Sequence, residues 1–389
     1  MEIAIAGCGP AGLASALFLK RDGHAVTLFD QFDTPRPLGS GLLIQPSGQQ
    51  VLAELGLLEK IRALAAPVTH LSGVNAQNGK RALDMEFRHL GSEICALGIH
   101  RASLFETLFD AVTARGITIE PGCRLVSADV CSTYVEPQFD NGRSMGKFDL
   151  LIDATGAHGP LAQGNLTQLP FAALWTTVDR PTNSEIGARA LDQRYWAASR
   201  MAGIMPVGVN SATGNAGAAL FWSIKPGDFP ALRARGIEAW RAEFLALWPE
   251  AQAFAAQIRS MDDFTLASYT HRTGVSSSQS RVLHIGDSWH CTSPQLGQGA
   301  NMALIDAAAI AEAISQSNDP ETIARLYRHL RSDHVKLYQM LSYVFTPLYQ
   351  SDSALLPTLR DLVIHYTARV PLIRSLIAHV VSGNFGKFS

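Results

Sequence analysis

The sequence has no run of about 18 uncharged apolar residues, which argues against a membrane-spanning helix. Charge is sparse: 17% of residues are Asp, Glu, Lys or Arg, the formal net charge is −2, and no basic block stands along the chain. A nucleic-acid partner, which needs such a block, is therefore not expected. The five cysteines (Cys8, Cys95, Cys123, Cys131, Cys291) are scattered, with no CxxC pair and no Cys/His cluster. No metal site is expected, and the odd number speaks against a disulfide framework and for a reducing, cytoplasmic setting. The first apolar run begins at Glu2, which leaves no space for a signal peptide ahead of it. Repeats and low-complexity tracts are missing too.

What is present is 389 residues, 47% of them hydrophobic, about the length of two or three packed subdomains. Glu2–Ala6 reads as a buried strand, Pro10–Arg21 as an apolar-periodic helix stopped by Gly23, and Ala25–Phe29 as a second strand closed by Asp30. Pro46–Ala65 and Arg101–Arg115 read as helices. Ile117–Ile119, Arg124–Val130, Tyr134–Phe139 and Phe148–Ala154 read as strands, and Val68–Leu97 as a small antiparallel piece. From Asn165 to Ser268 short β-like runs (Ala172–Val178, Gly203–Val209, Ala218–Ile224) are split by Gly, Pro and Asn, and helices follow at Ile237–Leu247 and Ala251–Arg259. Arg281–Ile285 is again a strand. From Asp319 onward a helical segment is expected, divided by Pro347, Pro357 and Pro371.

Two glycine-rich stretches carry the chemistry. In GCGPAGL, Gly7 permits a tight turn, Gly9 lets the backbone approach a pyrophosphate, and Gly12 lets the helix pack on the strand. Pro10 and Ala11 open that helix, whose free N–H groups and positive dipole end suit phosphates. Asp30, near the end of the second strand, stands where an acid would bind ribose hydroxyls. The alternative is a tight turn in some other α/β protein. The second stretch, HIGDSWHCTSPQLGQGANMALIDA at His284–Ala307, reads as strand, acidic turn at Gly286–Asp287, loop over Pro294–Asn301 and helix. A helix starting at Gly299–Ala300 aims its positive end into the loop, which suits the negative charge of a reduced flavin. With both ends of one extended cofactor cradled, FAD fits. The fold expected is α/β: a Rossmann-like FAD-binding domain (1–67, 95–164 and 270–318) with an inserted, mostly antiparallel β-sheet substrate domain (68–94 and 165–269) and a helical C-terminal segment (319–389).

On these motifs the chain resembles the FAD-dependent aromatic monooxygenases of the p-hydroxybenzoate hydroxylase-like family, over roughly its first 320 residues. That family's GDAAH…P…GQG.N…DA pattern is close to GDSWH…P…GQGAN…DA here. The resemblance implies that Asp287 contacts the FAD ribityl or pyrophosphate, and that Pro294, Gly297, Gly299, Ala300 and Asn301 hold the isoalloxazine ring. It places Gly39–Pro46, with Gly41, beside the flavin, Arg101 on the FAD and the Val126 backbone at the adenine. A family motif roughly GADGxxS reads DATGAHG here: Gly156 is kept, Thr155 stands where the acid is expected, and Gly159 where the serine is. In the family this motif serves FAD and NAD(P)H, so the change bears on nicotinamide reduction. Asp153, two residues early, is no obvious substitute.

The implied reaction is hydroxylation of an aromatic or conjugated small molecule with NAD(P)H and dioxygen, through a peroxyflavin; the protein supplies position and a dry pocket. Candidates facing a substrate cavity are Tyr195, Trp196, Arg200, Phe221 and Trp222, with sheet packing as their alternative use. His290 matches a family histidine and reads either as a turn residue or as a group near the flavin, beside Pro294. The tail from Tyr338 to Val381 reads as helices over the FAD domain, with an exposed stripe of Tyr343, Phe345, Leu348 and Tyr349 as a membrane-surface or dimer alternative to a monomer. Competing functions are a same-fold oxidase, reductase or halogenase-like flavoprotein, a protein that keeps FAD for structure or sensing, and, more distantly, a nicotinamide dehydrogenase.

Overall fold

A computed structural model describes residues 1–34, 41–162, 164–273, 276, 278–279, 281–367 and 371–383. Gly39 and Ser40 of the expected flavin-side stretch lie outside the described residues.

The first large sheet has six strands in the order β17 (Ser278–Gln279), β18 (Val282–His284), β11 (Leu150–Asp153), β1 (Glu2–Ala6), β2 (Ala25–Phe29), β8 (Thr118–Glu120). From β18 to β8 every pair is parallel, with β17 antiparallel on the edge. A parallel sheet is covered on both faces, so its strands are continuous apolar runs. Ile3 and Ile5 meet α1 (Pro10–Arg21), α4 (Arg101–Ala114) and α9 (Gly299–Gln316). Ala4 and Ala6 meet the hairpin of β9 (Leu125–Val130) and β10 (Val135–Phe139), through Phe29, Phe139 and Phe148.

The second large sheet has seven strands: β16 (Thr265–Thr273), β12 (Asn165–Asp179), β15 (Ala216–Ile224), β14 (Arg200–Val209), β13 (Ala190–Trp196), β5 (His70–Asn75), β6 (Arg81–Glu86). Only β13–β5 pairs in parallel. One face carries α5 (Phe229–Arg235), α6 (Ile237–Leu247) and α7 (Gln252–Ala255), with Trp240, Phe244 and Trp248 against Leu220 and Trp222. A three-stranded sheet of β3 (Gly41–Ile44), β7 (Ala96–His100) and β4 (Ala66–Val68) joins the two units. Gly98 is required there, since a Cβ would lie 1.9 Å from the Pro206 carbonyl oxygen.

Several expectations shift in detail. The ends of Val68–Leu97 belong to this three-stranded sheet, and only β5–β6 forms the hairpin. The helix expected over Pro46–Ala65 is two, α2 (Pro46–Glu54) and α3 (Leu58–Leu64), because Gly56 turns the chain at φ +73°. The short α8 (Asp287–His290) follows β18. Pro347 does not divide the tail: α10 (Pro320–Tyr349) runs through it. The helical bond it removes is to Tyr343, whose residue is 74% exposed, so water can take its place. Pro357 lies inside the first turn of α11 (Leu355–Thr367), where a missing N–H costs nothing, and Pro371 opens α12 (Pro371–Val381) as expected. Among the described residues no helix is long and apolar enough to cross a membrane.

Candidate functional site

The glycines of the first motif differ in what surrounds them. A Cβ on Gly7 would sit 2.4 Å from the Ala154 carbonyl oxygen, and one on Gly12 would sit 2.0 Å from that of Gly7. A Cβ on Gly9 meets nothing within 4 Å. Gly7 and Gly12 serve packing, while Gly9 faces open space at the start of α1. Pro10 is at the first position of α1, which has no side-chain cap, so its first-turn N–H groups remain available to an anion. Asp30 is anchored at the same turn: its Oδ2 accepts from the Cys8 amide at 2.8 Å and its Oδ1 from the Phe32 amide at 3.0 Å. Burial and then Asp30 push the Cys8 thiol far above its ordinary range, so it stays neutral.

The second motif arrives at the same place. A Cβ on Gly286 would lie 3.4 Å from Cβ of Ala11 and 3.5 Å from Cβ of Ala303, so the two glycine-rich segments touch across α1 and α9. Asp287 is exposed at the start of α8. Beneath it Asp306 is fully buried and accepts from the Gly286 amide at 2.8 Å. The same carboxylate pairs with His290 Nε2 at 2.6 Å and with Arg331 Nε at 2.6 Å. Burial alone would raise its pKa, but His290 and Arg331 outweigh that and hold it at about 2. Arg331 also bonds His334 Nδ1 at 2.5 Å, and burial, then Arg331, lower His334 to about 3. His290 therefore works behind the loop, orienting the Gly286 turn through Asp306. Sequence reasoning missed Asp306, Arg331 and His334; Asp306 is the acid of the motif's final Asp–Ala pair, whereas nothing in the sequence marks the two on α10.

The loop itself turns at Pro294–Leu296, a single turn exposed at Pro294 and half-buried after it, and at Gly297, whose φ of +62° is left-handed. Gly299 and Ala300 then begin α9, and a Cβ on Gly299 meets nothing within 4 Å. The Asn301 side chain is used within the protein, which leaves only its backbone to face the loop. It accepts from the Gln45 amide at 2.8 Å and donates to the carbonyls of Leu43 at 3.1 Å and Gly297 at 3.0 Å, tying β3 to the loop. Gly41 is needed for packing: a Cβ would lie 2.6 Å from Ala219 and 2.7 Å from Val207 on the second sheet.

At the third motif Gly156, φ +83°, faces open space beside the Gly7 turn. Asp153 is fully buried and spent: Oδ1 accepts from the Thr155 hydroxyl at 2.5 Å, and Oδ2 pairs with His284 Nδ1 at 2.8 Å. Arg101 is exposed at the start of α4, and its charge reaches Tyr269 on β16. Val126, 45% exposed, lies on the β9–β10 hairpin.

The strand residues weighed between a cavity and sheet packing divide between buried packing positions and the surface. Tyr195 is buried, with its hydroxyl on Gln193 Oε1 and its ring 5.5 Å from that of Tyr349. Trp222 is buried among the helices on the far face, 6.0 Å from Phe244. Phe221 packs on Trp175, and Trp196 and Arg200 are exposed. Alternation along a strand fixes which residues share a face, not which face meets the site. Tyr349 is also buried, donating to the Ala82 carbonyl at 3.0 Å, so the exposed stripe offered as the alternative on α10 is not continuous.

A family model described as an FAD binding domain matches residues 1–337. The chain belongs to this FAD-binding family. The flavoprotein is 24% identical to the FAD-dependent urate hydroxylase of Klebsiella pneumoniae, across 86% of its own length and 87% of that protein's. It is 24% identical to the 6-hydroxynicotinate 3-monooxygenase of Bordetella bronchiseptica, across 88% and 90%. Its fold is that of Klebsiella pneumoniae HpxO crystallised with FAD and uric acid, at TM-score 0.82 and 20% identity over 99% and 98% of the two chains. The group A flavin monooxygenases, which the motifs resemble, are thus its relatives.

Proposed function

We propose that this FAD-dependent monooxygenase uses NAD(P)H and dioxygen to hydroxylate a small aromatic or conjugated molecule, with the N-heteroaromatic type closest to hand. The observation that carries the reading is the meeting of the two glycine-rich segments at Ala11, Gly286 and Ala303, with open space at Gly9, Gly156 and Gly299 around them. FAD, when bound, supplies hydride acceptance and the activation of oxygen. The chain supplies the rest. The α1 N-terminus with Gly9 would receive the pyrophosphate, and Asp30 the ribose. Asp287 would meet the ribityl chain or pyrophosphate, and the Gly297–Ala300 backbone at the positive end of α9 the ring edge that gains negative charge on reduction. Arg101 and the Val126 backbone are assigned to the diphosphate and the adenine. The six-stranded unit binds the cofactor and the seven-stranded unit forms the substrate wall; a cytoplasmic setting suits the five free cysteines.

A second reading has its own observation. Thr155 replaces the family acid, and Asp153 is locked onto Thr155 and His284, so neither offers a free carboxylate to a nicotinamide. That favours a flavoprotein reduced by its substrate. Anaerobic mixing of the FAD-loaded protein with NADPH, then NADH, followed by flavin absorbance, separates the two. Bleaching by a nicotinamide, with or without an added phenol or hydroxypyridine, is expected; bleaching only by a substrate would favour the second reading.

A further inference from the structure

We propose that the side-chain amide of Gln45 docks a ring edge that places N–H beside C=O, the lactam or imide pattern. This rests on the flavin reading above, and two sources carry the pattern: the pyrimidine ring of the flavin, and an N-heteroaromatic substrate.

Gln45 lies at the start of α2, directly after β3, and is fully buried. Among the described residues it is the side chain with both a donor and an acceptor, Nε2 and Oε1, buried and without a hydrogen-bond partner. Burial without a partner is costly for an amide, and native proteins rarely leave both ends unpaired unless a ligand completes them. A primary amide presents N–H and C=O side by side, so it matches a ring N–H and C=O in two parallel hydrogen bonds.

Its surroundings are polar in the same sense. Ser47 Oγ and Gln298 Oε1 are likewise buried and unpaired. The place is also right: a Cβ on Gly297 would lie 3.6 Å from Gln45 Nε2, so the amide faces the left-handed turn of the loop. The Asn301 side chain fixes the backbone on both sides, through the Gln45 amide and the Gly297 carbonyl. The end of α12 roofs the group. Val381 O accepts from Gln298 Nε2 at 2.5 Å and Ser382 O from the Ser47 amide at 3.3 Å. These bonds use the backbone of the roof and leave the four side-chain atoms unpaired.

The test uses the full chain stripped of flavin, with Gln45→Met, which keeps the bulk, and Gln45→Glu, which presents two acceptors and cannot donate to a ring carbonyl. FAD is titrated into each, and 2-hydroxypyridine, whose lactam form carries the edge, is titrated into each FAD-loaded protein by flavin absorbance. If the flavin is the source, both variants bind FAD about tenfold more weakly. If a substrate is the source, FAD binding stays within about twofold and 2-hydroxypyridine binding weakens about tenfold. In either case flavin-free Gln45→Met should melt above flavin-free wild type, because an unpaired buried amide is gone; a merely structural glutamine would melt lower when replaced. FAD and 2-hydroxypyridine affinities both unchanged in both variants would overturn the proposal, and if wild type does not bind 2-hydroxypyridine the FAD titration alone decides. Wild-type protein that takes up no FAD would remove the flavin reading itself, and this assignment with it.

Discussion

In the six-stranded sheet Ile3, Ala4 and Ile5 of β1 are all fully buried, whereas β12 of the seven-stranded sheet starts with exposed Asn165–Gln168 and buries Ala172–Leu174 only after a break in register. The first sheet is enclosed on both faces and its strands end at glycine turns whose backbone is shaped for a ligand. The second is a wall: its core, around Trp222, Trp240 and Phe244, is made on the side given to helices. One sheet concentrates its demands on a few backbone positions; the other spreads them over side-chain volume. Stability and cofactor binding should therefore separate when each is damaged.

The largest effect is expected from Trp222→Ala. Removing a buried indole from the far face should cost about 4 kcal/mol in denaturant unfolding. The FAD affinity of the protein that remains folded should not change, since the ring packs against Phe244 and not against the glycine turns. Loss of flavin at unchanged unfolding free energy would mean that Trp222 faces the site after all. Gly12→Ala should damage both stability and FAD binding. Its Cβ would meet a backbone oxygen at 2.0 Å, and backbone has nowhere to go, so about 3 kcal/mol of strain is expected together with loss of flavin. Gly9→Ala, with nothing within 4 Å, should fold as wild type and bind FAD more weakly, which isolates the open side of the turn.

That contrast also explains what was legible in the sequence. Gly7, Gly9 and Gly12 could be given separate tasks because each task follows from a lack of Cβ, which no other residue supplies. The strands of the parallel sheet were legible as apolar runs for the same reason, local cause and local effect. β13 was not: ALDQRYW has no clean alternation, and it forms a strand because β14 and β5 hold it on both sides. Tyr195 and Trp222 show the limit most clearly. Their sequence context says aromatic and in a strand; only the tertiary arrangement says which core receives them. Arg331 and His334 are a similar case, since their partner Asp306 lies on another helix and only packing brings them together.

The buried network around Asp306 extends the comparison to pH. His334 is held neutral in the folded protein, lowered from 6.5 to about 3 by burial and then by Arg331. In the unfolded chain it takes up a proton near 6.5. Stability should thus be flat above about pH 6.5 and fall as pH drops below it, by about 2 kcal/mol on reaching pH 5. His334→Gln, which can still accept from Arg331, should flatten that part of the profile in chemical unfolding at a series of pH values. Asp306 acts lower down. Its folded pKa of about 2 lies under the ordinary 3.8 of a free aspartate, so the stability it contributes is present above about pH 4 and is lost as pH falls toward 2. A profile level from pH 7.5 to 5 would show that His334 is not held neutral by the fold.

The smallest stability change is expected at Asp287, three residues before His290 yet outside the buried network. Its carboxylate is exposed, while the amide of Gly286 beside it is held by buried Asp306. The turn is thus set from below, and Asp287 is left free on top to meet what binds there. Asp287→Ala should change the flavin-free unfolding free energy by no more than about 0.5 kcal/mol. FAD should nevertheless bind about tenfold more weakly, the usual loss of a charge-assisted hydrogen bond. Asp306→Asn, by contrast, should destabilise the flavin-free protein by about 3 kcal/mol, because Arg331 would be left buried without its counter-charge. Two carboxylates on one motif would then report the two demands separately, one on the cofactor and one on the fold. If Asp287→Ala keeps full flavin content and activity, the exposed carboxylate is not the cofactor's partner, and the loop beyond it must hold the flavin through backbone alone.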